Sequence, residues 1–218
     1  MKRHNPVLRT FAIAFGSVAL ASSVFAGPPL LCHPYDIGSA RSLPWNDAAG
    51  WTGTRADYKL ENLISDTDAL LTPTTPVVVR METLRRAAIY ASTDAKLAKE
   101  LLSRLNAKVD SAEAAGHPDA LALLDAAYVT EAFRMMSTLN GEFTSRAPGL
   151  RAAIGNADGY ALIARSITAR PNDAGLQFAA ALIAADKGDR SRYLDHASKA
   201  RAGAPADMLL TKNLDHVQ

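Results

Sequence analysis

Cys32 and His33 stand side by side and are the residues best suited to chemistry in this sequence. A thiolate and an imidazole are both soft-metal ligands, and a neighbouring imidazolium lowers a thiol's pKa. A metal ion held by Cys32 and His33 needs further ligands, with Asp36 or a histidine distant in sequence as candidates. Two other readings stand beside this one. Cys32 is a small buried hydrophobe next to a surface histidine, or it pairs with another molecule. It is the only cysteine of the chain, so no internal disulfide can form. No Cys-x-x-Cys-His haem motif is present.

Other constellations carry less. Glu113 and His117 are four apart, which puts them on one helix face, with Asp119 beyond. A histidine ending a helix interacts well with the dipole and with an acid one turn back, so a structural role is expected. Asp66 and Asp68 are two apart and do not face each other on a helix. Arg80, Arg85 and Arg86 read as a solvated helix face, and Met135-Met136 as core filling. Trp45 and Trp51, both tryptophans of the chain, are candidate binding residues. The sequence has no Gly-x-Ser-x-Gly, no His-Glu-x-x-His, no phosphate loop and no dinucleotide fingerprint. The reading leans away from an enzyme, and the one cofactor considered is a metal ion at Cys32 and His33.

The elements that must position these residues are helices. Leu60, Leu63, Ile64, Thr67, Leu70 and Leu71 form a stripe at helical spacing. Thr75 is expected to cap the next helix with Pro76 at its first position. That helix turns Val77, Met81, Leu84, Ala88 and Ala91 inward. Ser92 or Thr93 is expected to cap a longer one bearing Leu97, Leu101, Leu102, Leu105, Val109 and Ala112, closed by Gly116. Pro118 opens a fourth, with Leu121, Leu124, Tyr128, Ala132, Met135 and Leu139 in line. Residues 142–156 read as loop with one short turn near Leu150 to Ile154. Shorter helices are expected near 157–169, 173–187, 190–202 and 205–214, with Asn156 and Asp173 as caps. No alternating stretch of strand length appears.

Residues 27–56 differ. Pro28, Pro29, Pro34 and Pro44 interrupt any helix, and glycines add turn positions. This segment is expected to be an irregular arm. Burying Leu30, Leu31, Tyr35, Ile37, Trp45 or Trp51 stabilises by roughly 1.5–3 kcal/mol each, so docking on the helices is favoured.

From Asn156 to Pro205 the sequence resembles tetratricopeptide (TPR) helical hairpin repeats. Small Ala180 and Ala181 lie where two helices approach closely. Gly188 and Asp189 lie at the inter-helix turn, Ala197 and Ala200 on the second helix, and Pro205 at the repeat's end. Tyr193, Gln177 and Ala184 depart from the family's pattern. The resemblance covers about one quarter of the chain. It implies antiparallel hairpins stacked as a short array, TPR-like at 157–205, within the single all-α domain over 57–218 that the helical periodicity predicts. Such arrays bind peptides or proteins, so a protein or peptide partner is expected.

Residues 1–26 read as a secretory signal peptide. Lys2, Arg3 and Arg9 form a basic start, Phe11 to Ala21 an apolar core, and Val24 and Ala26 the small residues before a cut at Gly27. The apolar core is shorter than the roughly 20 residues a spanning helix needs. The leader holds three of the 24 basic residues and none of the 22 acidic ones. The remaining chain is thus nearly neutral, with no footprint for nucleic acid and no polybasic membrane patch. An exported protein of the periplasm or extracellular space is expected, with no stable membrane insertion after cleavage. Its most direct function is a non-enzymatic interaction or scaffold module; the alternative is a small metal-binding or thiol-redox protein using Cys32 and His33.

Overall fold

Aspartate starts most of the helices in the computed structural model, which describes residues 27–217. The signal-peptide reading and its cleavage site lie on residues 1–26, outside the described residues. The chain forms α1 (Leu63–Leu70), α2 (Val77–Ala91), α3 (Ala95–Ala114), α4 (Ala120–Met136), α5 (Glu142–Ile154), α6 (Gly159–Ala169), α7 (Ala174–Asp186), α8 (Arg190–Gly203) and α9 (Met208–Lys212). Short 3-10 turns at Asp47–Thr52, Leu60–Asn62, Ala204–Ala206 and Leu214–Val217 complete the order. The fold is all-helical, with no strand among the described residues. None of these helices is long and apolar enough to cross a membrane.

Asp94, Asp119, Asp158, Asp173, Asp189 and Asp207 each accept a hydrogen bond from a backbone N–H in the first turn of α3, α4, α6, α7, α8 and α9. Such caps satisfy donors that have no partner within the helix. Three expected caps are corrected. Asp94 starts α3, because the Ser92 and Thr93 hydroxyls donate backward to the Ile89 and Tyr90 carbonyls and close α2. Asp158, not Asn156, starts α6. Pro76 is itself the cap residue of α2, while the Thr75 hydroxyl donates to the Leu70 carbonyl. The expected helix over 205–214 is broken, since Asp207 caps a new short one.

The expected loop at 142–156 is α5, thirteen residues long with Pro148 inside it. Proline removes a donor and crowds the preceding turn, costing about 3 kcal/mol in a helix interior. Phe143, Ala147, Leu150 and Ile154 are buried at helical spacing, and this face packs on α3 and α4. Their burial outweighs the lost bond. Pro148 faces solvent, so Pro148→Ala restores the donor without disturbing the core. It is expected to stabilise the protein by about 1–2 kcal/mol, after allowing for a less restricted unfolded chain, read as a rise in urea midpoint.

The core sits around α4, which packs against α2, α3, α5, α6 and α7. Every α4 residue except Arg134 is buried, as is every α2 residue except Arg86. A largely apolar helix such as α4 belongs in an interior, whereas α2 is buried with its charges in ion pairs. By contrast α3 keeps one wet face, burying Ala98, Leu101, Leu102, Leu105 and Val109. Leu60 stands outside the expected stripe at 37 % exposure. The segment before α1 buries Leu30, Leu31, Tyr35 and Leu43 against these helices.

Candidate functional site

Arg85 is fully buried, and Arg80 is 3 % exposed. The solvated arginine face expected from sequence is therefore wrong for both. The physical reason is pairing. Arg85 Nε and Nη2 donate to the two carboxylate oxygens of Glu82, each at 2.8 Å. Arg86 Nε donates to Glu82 Oε1 at 2.6 Å. The Tyr35 backbone N–H donates to Glu82 Oε2 at 3.1 Å. Burial works to raise the Glu82 carboxyl, but the two guanidinium groups outweigh it and hold Glu82 below its ordinary range.

The same cluster grips the backbone of the preceding segment. Arg85 Nη1 donates to the Leu31 and Trp51 carbonyls, and Arg86 Nη1 to the Leu43 carbonyl. The Tyr90 hydroxyl donates to Pro44 O, and the Tyr128 hydroxyl to Leu30 O. Trp45 lies under both guanidiniums, with Arg85 at 4.9 Å and Arg86 at 5.6 Å from its ring centroid. Trp51 stacks on Phe143 at 5.5 Å. Both tryptophans are half-buried and engaged by the protein itself. Buried charges need such complete pairing.

Cys32 and His33 turn toward different neighbours. Cys32 lies against Gly27 and in the field of Arg85. Burial pushes its thiol up, with Arg85 pulling the other way; a raised thiol is a weaker nucleophile. The His33 ring meets the His216 ring edge-on at 6.0 Å. Asp36 is taken up elsewhere, its N–H and carbonyl both bonded to the Asn213 side chain. No group of three or more His, Cys, Asp or Glu side chains able to hold a metal occurs among the described residues. Glu113 pairs with Arg165. Asp68 pairs with Arg104 and Lys108, while Asp66 accepts from the Tyr58 hydroxyl.

A second buried acid, Glu131, binds the Gly159 N–H at 2.9 Å and lies 3.3 Å from Lys187 Nζ. A Cβ at Gly159 would fall 2.5 Å from Glu131 Cγ, so this approach requires glycine. Asp186 lies near the cluster. Burial first, and the Glu131 charge second, push its carboxyl up to about 6. The unfolded value is near 3.9. Between these values the folded chain binds the proton and the unfolded chain does not, so Asp186 weakens the fold as pH rises through 6. Asp186→Asn is therefore expected to stabilise by about 1–2 kcal/mol at pH 8, discounted for solvent screening. The gain should vanish near pH 4, as shown by paired urea titrations of the two proteins.

Two further arrangements had no signal in the sequence reading. Tyr160, His196 and Gln177 form a chain: Tyr160 Oη lies 2.9 Å from His196 Nε2, and His196 Nδ1 lies 2.7 Å from Gln177 Oε1. With that amide oxygen as acceptor, Nδ1 carries the proton and Nε2 accepts from tyrosine. Burial lowers His196, favouring this neutral form. The other is a cavity of about 320 Å³ where the ends of α2, α3, α4 and α6 meet. Its floor is the Arg80–Asp125 pair, bonded at 2.9 and 2.5 Å. Burial pushes Asp125 up to about 6 against the pull of Arg80. Lys108, Asp119 and Arg170 line the remainder with small apolar residues.

No family model, no curated protein and no solved structure matches this chain.

Proposed function

We propose that this chain is an exported, non-enzymatic interaction module, with residues 157–205 arranged as TPR-like hairpins and residues 27–56 as an arm held on the helices. The observation that carries this reading is an apolar patch left facing solvent at the C-terminal end. Met208 is 80 % exposed, and it shares a shallow apolar depression with Ala204, Pro205 and Leu214, flanked by Arg201 and Lys212. Exposed apolar surface rimmed by polar groups marks contact sites. The α7–α8 hairpin supports the repeat reading: its turn passes through Gly188 at φ 68°, and Ala180, Ala181, Ala197 and Ala200 are fully buried between helices. The pairing that occupies Arg85, Trp45 and Trp51 points the same way, since these groups hold the arm.

The test uses the full chain made in its native host. N-terminal sequencing of the exported form should begin at Gly27. A photocrosslinking amino acid at Met208 should give a discrete adduct, while one at the exposed Lys99 should not. Equal labelling at both positions, or a mature chain beginning at Met1, would end this reading.

A further inference from the structure

The α2/α3/α4/α6 cavity holds charges of both signs, and their pairing is incomplete. Arg80 and Asp125 satisfy each other on the floor. Lys108 Nζ is 2.7 Å from Asp68 and so is also paired. Arg170, at the C-terminal end of α6, lines the same cavity and makes no ion pair among the described residues. Asp119 caps α4 through one oxygen, Oδ1. It likewise has no cationic partner among the described residues, and both bonds that its side chain accepts from described residues go to Oδ1. Once internal pairs are removed, one cation and one anion remain at the mouth of one cavity.

We propose that this cavity binds a small zwitterion of amino-acid size, its carboxylate received by Arg170 and its ammonium by Asp119. The guanidinium offers a planar fork matched to a carboxylate. The Asp119 oxygen left over from capping accepts from an ammonium. A volume of about 320 Å³ lies at the small end of the range for ligand pockets, which suits an amino acid. The Arg80–Asp125 floor is neutral as a pair, so it adds polarity without selecting one sign. Leu71, Pro73 and Leu121 supply apolar wall for a side chain. A simple anion would meet Asp119, and a simple cation would meet Arg170, so each is disfavoured by one wall.

Calorimetric titration of the full-length protein with the common L-amino acids, singly, tests this. At least one should give saturable heat, while acetate and methylammonium, each with one of the two charges, should give none. Arg170→Gln should weaken the binding about tenfold or more. Asp119→Asn should do the same while leaving the thermal midpoint near wild type, because asparagine caps a helix as well as aspartate does. Lys99→Gln, an exposed position on α3 that does not line the cavity, should change nothing. Saturable heat with no amino acid overturns the proposal, and so does binding that survives either Arg170→Gln or Asp119→Asn.

Discussion

Glu82→Gln is expected to lower the stability of the protein by about 3–5 kcal/mol, the penalty for leaving buried charges without a counter-ion. Glu82 is fully buried and faces both Arg85, also fully buried, and Arg86. Glutamine keeps the shape of the side chain and one acceptor oxygen, so packing is preserved while the negative charge is lost. Arg85 then carries an uncompensated charge in the core, where burial works to lower its pKa and only the bonds and charge of Glu82 hold it raised. Neither guanidinium can escape by deprotonating. The strain should be felt first in residues 27–56, because the same guanidiniums hold the carbonyls of Leu31, Leu43 and Trp51. Urea denaturation gives the loss of stability, and limited proteolysis should cut this segment before the helices. Arg104→Gln supplies the comparison. Its ion pair with Asp68 is exposed at the arginine, and such pairs contribute at most about 1 kcal/mol. If the two substitutions cost the same, Glu82 is not the counter-ion that holds the core charges.

The amphipathic helices were legible in the sequence, and the buried ones were only half so. On α3 the stripe of Leu101, Leu102, Leu105 and Val109 appears inside because the opposite face stays wet. On α2 and α4 nearly every position is buried, so periodicity has no contrast to report. The charges within them misled for a related reason. A solvated arginine and a paired, buried arginine have the same one-dimensional signature. The partner of Arg80 is Asp125, and one acceptor of Arg85 is the Leu31 carbonyl, each dozens of positions away. Pro148 hid α5 because a local penalty is visible in sequence and a tertiary gain is not. The cap at Asp94 was missed since Ser92 and Thr93 precede it with equally good capping chemistry, and only the backward hydrogen bonds of their hydroxyls decide between them. The candidate cavity depends on Asp119 and Arg170, at the ends of different helices, lining one space, which no local pattern encodes. Cys32 and His33, the most suggestive neighbours in sequence, have side chains that meet different surroundings.

Leu124→Ala should cost about 2–5 kcal/mol, and the position of α4 argues for the upper part of that range. The penalty has two parts, the lost transfer of the removed methyl groups and the void that remains. The second part is small where neighbours can collapse inward and large where they cannot. Leu124 is fully buried on a helix enclosed by α2, α3, α5, α6 and α7. Collapse there requires several helices to shift together. The Arg80–Asp125 pair, one residue along α4, further ties that helix to α2. Leu101, 1 % exposed on a helix with one face in water, has more freedom to relax, so Leu101→Ala should cost less than Leu124→Ala. Leu194, 49 % exposed, should lose under about 0.5 kcal/mol on truncation. Urea midpoints for the three variants give this ranking directly. An order in which Leu194 costs as much as Leu124 would mean that α4 is not the centre of the packing. The buried charge pairs assigned around it would then lose the enclosure that makes them strong.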